Sequence, residues 1–325
     1  MRAFKNVLLA LTIGCVGLSL QSAPSTAQTW PQHTVRVIVP LPPGTPPDVS
    51  ARLFTEHLSA RWKQPVIVEN IAGADGVLAA KEFAGRNDDH TLLYSFAGLI
   101  TINPLLYEKL PYDPGRDLVP IAMTTDNFLA VAVSEKLNVT SLEDLVKLAR
   151  SRSAKLNWAA TAGLPYFAFA GFLKSVGVEM VYVPYRDFNP ALSDLGEGRI
   201  EVVSTGLTQL LPQSEAGRAK LLVVLNPARA DIAPKLPTAA EAGYPALTFD
   251  GVTGFYGWRE IPSYLRDRIA DDIRHVAANP SVKDRLAPIG IVTKSSSPAE
   301  FAAAIEEQRR KVAAIAAVTG TRPRQ

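Results

Sequence analysis

Thr34-Val35-Arg36-Val37-Ile38-Val39 is a nearly continuous apolar run, and it decides the fold class. A run of this kind is typical of a strand buried on both faces of a parallel sheet. A loop over residues 40–47 follows, and Asp48 then begins a predicted helix whose apolar residues share one face. A buried strand, a short loop and an amphipathic helix form the repeating unit of an α/β fold.

The same unit recurs along the chain. Up to residue 128 the pattern predicts two more strands, at 66–69 and 91–95, with a helix at 77–84 between them. After an apolar stretch at 128–133, a second set of elements follows. Its strands are predicted at 156–159, 180–183, 200–203 and 220–225. Its helices are predicted from a cap at 140 to about 151, at 166–176, from 190 and at 210–216.

Helix start signals also mark the remaining segments. Two Thr-x-x-Glu sequences, which begin at Thr140 and Thr238, predict helices that open with a capping box. Helices at 263–278 and 298–317 complete the chain, and we expect the polar tail at 321–325 to fray.

These elements form two α/β units. The last quarter of the chain is too short for a third domain, so we expect it to return to the first unit. The chain then crosses twice between the units, near 128–133 and 248–258. We predict an α/β fold of two lobes, each a doubly wound sheet flanked by helices, with a hinge and a ligand cleft between them. Lobe 1 comprises 28–128 plus 248–325, and lobe 2 comprises 129–247.

The composition excludes several classes of protein. Of 325 residues, 47% are hydrophobic and 20% charged, which fits a folded chain with a large core. The net charge of +3 is too balanced for a dedicated nucleic-acid binder. A single cysteine excludes a disulfide framework or a thiolate zinc cluster within the chain, and 25 prolines argue against a coiled coil or a helical repeat array.

Residues 1–27 have the pattern of a secretory signal peptide. Arg2 and Lys5 precede an apolar run, and small residues close the segment. Two alternatives are an uncleaved N-terminal anchor and a lipid anchor on Cys15. Cleavage would leave an exported chain without cysteine, which is common in the bacterial periplasm.

No catalytic constellation stands out. The four histidines, His33, His57, His90 and His275, show no metal-ligand spacing in the sequence, and we expect no metal site. Gly-x-Ser-x-Gly, Walker and Gly-x-Gly-x-x-Gly motifs are absent from the sequence, so no enzyme class and no cofactor is indicated.

Four loops at predicted strand ends form a candidate binding site instead. They span 42–48, 72–76, 161–165 and 204–208. Their glycines permit close backbone approach, and a helix N-terminus offers free N–H groups and partial positive charge. Together they could hold a carboxylate without lysine or arginine, although each loop alone is also consistent with an ordinary strand–helix connection.

Several short sequences resemble one protein family. They are Val37-Ile38-Val39-Pro40-Leu41-Pro42-Pro43-Gly44, Gln64-Pro65-Val66-Ile67-Val68-Glu69-Asn70, Asn103-Pro104-Leu105-Leu106-Tyr107, Val183-Pro184-Tyr185 and Leu236-Pro237-Thr238. In this order the chain is similar to substrate-binding proteins of tripartite tricarboxylate transporters, the Bordetella uptake gene type. The resemblance runs from Trp30 to about Ala317.

The resemblance implies a type II-like periplasmic binding protein without enzymatic activity. Such a protein delivers a small carboxylate to membrane permease subunits, and we expect a monomer that binds no nucleic acid. Carried over to this chain, the first-lobe site falls on Leu41, Gly44, Thr45, Ala72, Gly73, Ala74, Gly76, Ser95, Phe96 and Ala97. The second-lobe candidates are Thr161, Gly163, Tyr166, Tyr185, Arg186 and Thr205.

Departures from the family pattern bear on the ligand. Members of the family commonly have an acidic residue near the position of Thr205, which would suit an amino group on the ligand. This chain has none there, so we predict a ligand without an amino group. Phe96, Tyr166, Phe167 and Phe188 favour an aromatic or otherwise apolar-bodied acid, with core packing as the alternative role for each.

Two charged residues raise further questions. Asp75 would repel a carboxylate unless it points away or is protonated. Arg186 stands where the family usually has lysine, and we hypothesise that it contacts a second, distal carboxylate. The alternative functions are an exported hydrolase or lyase that uses the same cleft, and a ligand-sensing protein that presents to a receptor.

Overall fold

The computed structural model describes residues 30–86, 88–151 and 155–324. The predictions on the signal segment, 1–27, and on Cys15 concern residues outside these ranges.

Strands and helices alternate through most of the described chain. The strands are β1 (Val35–Val39), β2 (Val66–Asn70), β3 (Thr91–Phe96), β4 (Val119–Asn127), β5 (Leu129–Ser134), β6 (Asn157–Ala160), β7 (Val181–Tyr182), β8 (Val202–Gly206), β9 (Ala219–Val224), β10 (Val252–Gly257) and β11 (Ile291–Thr293). The helices are α1 (Pro46–Trp62), α2 (Val77–Arg86), α3 (Gly98–Thr101), α4 (Asn103–Leu106), α5 (Leu142–Ser151), α6 (Leu164–Ser175), α7 (Asn189–Glu197), α8 (Leu207–Glu215), α9 (Ser263–Ala278), α10 (Pro280–Leu286) and α11 (Pro298–Thr319).

The first sheet has six strands in the order β11-β4-β10-β3-β1-β2. β1 lies between β2 and β3 and is parallel to both, and only Arg36 of its five residues is exposed. This burial explains why β1 is an almost unbroken apolar run. β10 is antiparallel to both β3 and β4, and β11 is antiparallel to β4, so the sheet is mixed.

The second sheet has five strands in the order β7-β6-β8-β5-β9. β6 is parallel to β7 and β8, whereas β5 is antiparallel to β8 and β9. The predicted α/β fold of two helix-flanked sheets is confirmed. The sequence analysis missed β4, because Pro120 and the polar residues Thr124, Thr125 and Asp126 interrupt its apolar pattern.

Separate hydrophobic cores cover the two sheets. Val131 and Val133 of β5 face one core of the second sheet, and Ala130 and Ala132 face the other. This alternation follows from the two-residue period of a strand.

Helix α11 contributes to the cores of both sheets. Phe301 and Ile305 pack into the core of the first sheet, and Val312 and Ala316 pack into the core of the second. The predicted lobe boundaries assign this helix to lobe 1 alone, and they stay a prediction.

Several predicted helix starts shift by a few residues. α1 begins at Pro46, so Asp48 lies inside its first turn. In α5, the Ser141 hydroxyl accepts from the Asp144 N–H at 3.0 Å, one residue later than the predicted Thr140 cap. Thr238 exchanges both predicted capping-box hydrogen bonds with its glutamate partner, but they close a turn rather than a regular helix.

The C-terminal tail is ordered by backbone hydrogen bonds, contrary to the expectation that it frays. The Arg324 N–H donates to the Leu106 carbonyl at 2.8 Å, and the Glu108 N–H donates to the Arg324 carbonyl at 3.1 Å. The described helices include none that is both long and apolar enough to cross a membrane.

Candidate functional site

A cleft of about 510 Å³ lies between the two sheets, where the loops after β1, β2, β3 and β6 meet. Its volume falls in the usual range for small-molecule sites. The first-lobe side of the cleft includes Pro40, Leu41, Pro42, Ala72, Gly73, Asp75, Gly76, Phe96, Ala97, Gly98, Ile102, Asn103 and Leu106. The remaining lining residues are Asn127, Leu129, Ala162, Gly163, Leu164, Pro165, Gly251, Val252, Thr253 and Gln308.

The first loop is shaped by the buried carboxylate of Asp48. The Gly44 N–H donates to Asp48 Oδ2 at 2.9 Å, and Asn70 Nδ2 bridges Asp48 Oδ1 and the Leu41 carbonyl at 2.8 and 2.9 Å. Burial alone would raise the pKa of Asp48, but hydrogen bonds from Arg52 and from the Gly44 N–H outweigh it, so the pKa is lowered. Of the predicted residues in this loop, Leu41 lines the cleft, whereas Gly44 and Thr45 do not.

The second loop places Ala72, Gly73 and Gly76 in the lining, whereas Ala74 is exposed and does not line the cleft. Gly76 has φ +83°, and a Cβ there would lie 2.8 Å from a methyl carbon of Leu99. This position therefore needs glycine on both conformational and steric grounds.

Asp75 lines the cleft, and its carboxylate is held by other side chains. Tyr107 Oη donates to Asp75 Oδ2 at 2.7 Å, and Arg324 forms an ion pair with the same carboxylate oxygen. The carboxylate is therefore paired rather than free, and neither of its partners lines the cleft.

The segment after β3 contributes two of its three predicted residues. Phe96 and Ala97 line the cleft. Ser95 is buried, and its hydroxyl donates to the Phe96 carbonyl at 3.3 Å.

The second-lobe candidates lie at different distances from the cleft. Gly163 lines the cleft, and Thr161 lies next to this lining with its hydroxyl 3.2 Å from that of Thr205. Tyr166 packs against Trp158, with ring centroids 5.6 Å apart.

Tyr185 and Arg186 do not line the cleft. The Tyr185 hydroxyl donates to Asp194 at 2.5 Å, and Arg186 is exposed to solvent. Of the predicted aromatic wall only Phe96 reaches the lining; Phe167 is fully buried and Phe188 packs against a core. The roles of all these residues stay predictions.

The sequence analysis missed the lining residues that come from the chain crossings and from α11. Asn127, Leu129 and Gly251 flank the crossings, and a buried amide oxygen, Asn127 Oδ1, has no protein partner. Gln308 of α11 accepts from the Thr101 hydroxyl at 2.8 Å and donates to the Asp250 carbonyl at 3.1 Å. The apolar stretch after residue 127 located the first crossing, but no local pattern indicates that Gln308 reaches the cleft.

The electrostatics of the cleft favour an anion bound by backbone groups. Among the described residues, no lysine or arginine lines the cleft. In the same ranges, the N–H groups of Ala72, Gly73 and Gly163 donate to no protein acceptor. Helices α2 and α6 begin at this lining, so the positive ends of their dipoles point toward the cleft.

A polar cluster lies elsewhere, at the starts of β1 and β3. Side chains of His33, Asp89 and His90 bring possible metal-ligating atoms within 4.8 Å of one another, a proximity that the spacing in the sequence did not indicate, and the absence of a metal site stays a prediction. Neighbouring parallel strands bring the histidines together, and their rings stack 3.6 Å apart. His90 Nδ1 lies 2.7 Å from Asp89 Oδ1 and its Nε2 accepts from the Gln32 N–H, so a metal ion would have to displace one of these bonds.

Comparison with known proteins identifies related chains. The family model described as "Tripartite tricarboxylate transporter family receptor" matches residues 50–320. A UPF0065 protein of Bordetella bronchiseptica is 30% identical over 300 residues, which cover 92% of this chain and 89% of that protein.

Two solved structures are similar in fold and carry a ligand. R. palustris Rpa4515 with adipate is 28% identical, with a TM-score of 0.78 over 91% of this chain and 100% of the other. MatC (Rpa3494) from Rhodopseudomonas palustris with bound malate is 27% identical, with a TM-score of 0.73 over 88% and 99% of the two chains. The family match and the sequence relative confirm the resemblance seen in the sequence. This chain belongs to the tripartite tricarboxylate transporter receptor family, whose members are periplasmic solute-binding proteins rather than enzymes.

Proposed function

We propose that this protein captures a small organic carboxylate in the cleft and delivers it to a tripartite tricarboxylate-type membrane transporter. The observation that carries the proposal is a cleft lined by unpaired backbone N–H groups and helix N-termini, to which the described part of the chain contributes no lysine or arginine. Such a site suits a carboxylate that must be released again, because it binds the charge without a buried cationic partner.

The expected binding free energy is sufficient. A hydrogen bond to a charged group contributes about 1.5–3 kcal/mol. Micromolar affinity requires about 8.2 kcal/mol, which roughly five or six such bonds exceed at the middle of this range, leaving some for ordering and lobe closure.

The lining also indicates the body of the ligand. Aliphatic side chains such as Ile102, Leu106 and Leu129 dominate it, and Phe96 is the one aromatic side chain that the described residues contribute. Within the same part of the chain, the only carboxylate of the lining is that of Asp75, which is already paired with Arg324, so no acidic group is left for a ligand ammonium. We therefore propose a carboxylate with an apolar body and without an amino group, and the adipate of the R. palustris relative is of this type.

The location and partners follow from the same proposal. We propose that residues 1–27 direct export and are removed, and that the mature chain acts as a monomer in the periplasm. Presentation of the ligand to a sensory receptor is the second candidate function, since the cleft serves either role. Loss of growth on the bound acid after deletion of the genes for a tripartite tricarboxylate-type permease would favour transport.

Calorimetry on the purified mature chain tests the ligand class. Adipate and malate should bind, and glutamate and aspartate should not. Native mass spectrometry of the freshly purified protein should show a co-purified acid. Tight binding of glutamate or aspartate, with no binding of acids that lack an amino group, would overturn the proposed ligand class.

A pair of glycine substitutions tests the site. Gly76→Ala should weaken adipate binding at least tenfold, about the loss of one charged hydrogen bond, because the new Cβ meets Leu99 and displaces the loop. Gly217→Ala is the matched control, since its φ is +64° and nothing lies within 4 Å of the new Cβ. Equal affinities in the two variants would place the ligand elsewhere.

A further inference from the structure

The C-terminal tail brings a charged residue to the edge of the cleft. Arg324 forms a parallel β-bridge with Tyr107, next to Leu106 in the cleft lining. Two backbone hydrogen bonds fix this bridge, one to the carbonyl of Leu106 and one from the N–H of Glu108. The tail is therefore attached to the wall of the cleft by its backbone.

The side chain of Arg324 completes a three-residue cluster. Its guanidinium contacts Asp75 Oδ2 and lies 2.6 Å from the Tyr107 hydroxyl, and its central carbon is 4.6 Å from the centre of the Tyr107 ring. The Tyr107 hydroxyl also donates to Asp75 Oδ2, so this oxygen accepts from two donors.

Within this cluster, the carboxylate of Asp75 has the charge that would oppose an anion in the cleft. Asp75 is, within the described chain, the only ionisable residue of the cleft lining. An unpaired carboxylate beside Gly73 and Gly76 would repel the proposed ligand. Ala74 and Asp75 also have left-handed backbone conformations, with φ of +48° and +53°, which other contacts must hold in place.

We propose that Arg324 is a specificity-determining residue of the cleft, because it cancels the charge of Asp75 and holds the loop of residues 72–76. This inference rests on the proposed binding of a carboxylate. It assigns the tail a role in anion selection that no residue of the loop can perform, since the loop itself contains no cation.

Calorimetry with adipate and malate on four proteins tests this role. Arg324→Gln should weaken binding about tenfold at low salt, and the difference should shrink at high salt because the pair is partly exposed. Arg322→Gln is the matched control: it removes the same charge from an exposed tail residue and should bind like the wild type. Asp75→Asn combined with Arg324→Gln should restore most of the lost affinity, because the repulsive charge is removed even though the contact between the tail and the loop is lost.

The double variant separates charge cancellation from structural support. If Arg324 only braced the loop, removing the Asp75 charge would not restore binding, and that result would overturn the inference. Equal affinities of Arg324→Gln and the wild type would overturn it as well.

A second measurement keeps the inference testable if the ligand class is wrong. A wild type that binds neither acid contradicts the proposed function for these acids. Amide hydrogen exchange then decides about Arg324: exchange in residues 72–76 should be faster in Arg324→Gln than in Arg322→Gln, and equal rates would overturn the inference.

Discussion

At the residue scale, Asp48 has the widest influence on the site, although it does not line the cleft. Only 1% of its surface is exposed, and its two oxygens accept from Gly44, Arg52 and Asn70. Through Gly44 and Asn70 it sets the path of the loop that carries Leu41. The cleft geometry therefore depends on a carboxylate beneath it.

Asp48→Asn should destabilise the fold by about 2–3 kcal/mol, because hydrogen bonds to a buried charged group are lost or weakened. The pKa of Asp48 is lowered in the folded state, so its stabilisation is present above the ordinary pKa of 3.8 and is lost as pH falls through the lowered value. Urea unfolding should show a smaller difference between the variant and the wild type at pH 3 than at pH 7. Asp267→Asn, at an exposed aspartate, should leave stability almost unchanged at both pH values.

At the scale of elements, the contact between α6 and α11 connects the helix layers of the two lobes. Gly171 of α6 faces Ile315 of α11 so closely that a Cβ on the glycine would lie 2.7 Å from the isoleucine side chain. The absence of a side chain at residue 171 thus allows the two helices to approach.

Gly171→Ala should lower the free energy of unfolding by about 1 kcal/mol. Overpacking against Ile315 costs about 1–3 kcal/mol, and the better helix propensity of alanine offsets up to about 1 kcal/mol. Gly85→Ala in α2 has open space around the new Cβ and should instead stabilise the protein by about 0.5–1 kcal/mol. Denaturant midpoints of the two variants that move in the same direction would contradict this account of the helix contact.

At the scale of the whole molecule, a buried ion network joins the two chain crossings. Asp126, just before the first crossing, accepts from the Gly251 N–H at the second crossing, from Lys294 directly after β11 and from Asn226 after β9, at 2.7–2.8 Å. Burial raises the pKa of Asp126, as does the nearby Asp250 carboxylate, while Lys294 opposes this effect. The network holds both lobes at the proposed hinge.

Lys294→Met should destabilise the fold by about 3 kcal/mol at pH 7. This is the lower end of the range of about 3–5 kcal/mol for breaking a buried ion pair, because a third of the lysine side chain is exposed. The pKa of Asp126 is higher in the folded protein than the ordinary value of 3.8. Its contribution to the stability of the fold is therefore fully present below pH 3.8 and is lost as pH rises through the raised pKa. The loss in Lys294→Met should therefore be smaller at pH 4 than at pH 7.

Asp126→Asn combined with Lys294→Met should recover most of this stability, because no unpaired buried carboxylate remains. Lys147→Met, at an exposed pair with Glu143, should leave stability almost unchanged. A double variant as unstable as Lys294→Met would show that the charge of Asp126 is not the cause.

Much of the fold followed from local pattern. The prediction of α9 at 263–278 matches its observed bounds, and β1 differs from its predicted range by one residue. Ala72, Gly73, Gly76 and Gly163 line the cleft and lie in loops that were predicted as a site because loops at strand ends meet at one sheet edge, whereas Ala97 was expected from the family resemblance. β4 was not predicted, since its burial comes from pairing with distant β10.

The sequence by itself determined the alternation of strands and helices, the loops at strand ends and the family to which the chain belongs. Only the tertiary structure decided that α11 serves two cores, that Gln308 reaches the cleft and that Arg324 pairs with Asp75, 249 residues away. The physical reason is that secondary structure follows from the spacing of neighbouring residues, which the sequence displays directly. A charge pair between distant segments depends on how whole elements pack, and it leaves no periodic pattern along the chain.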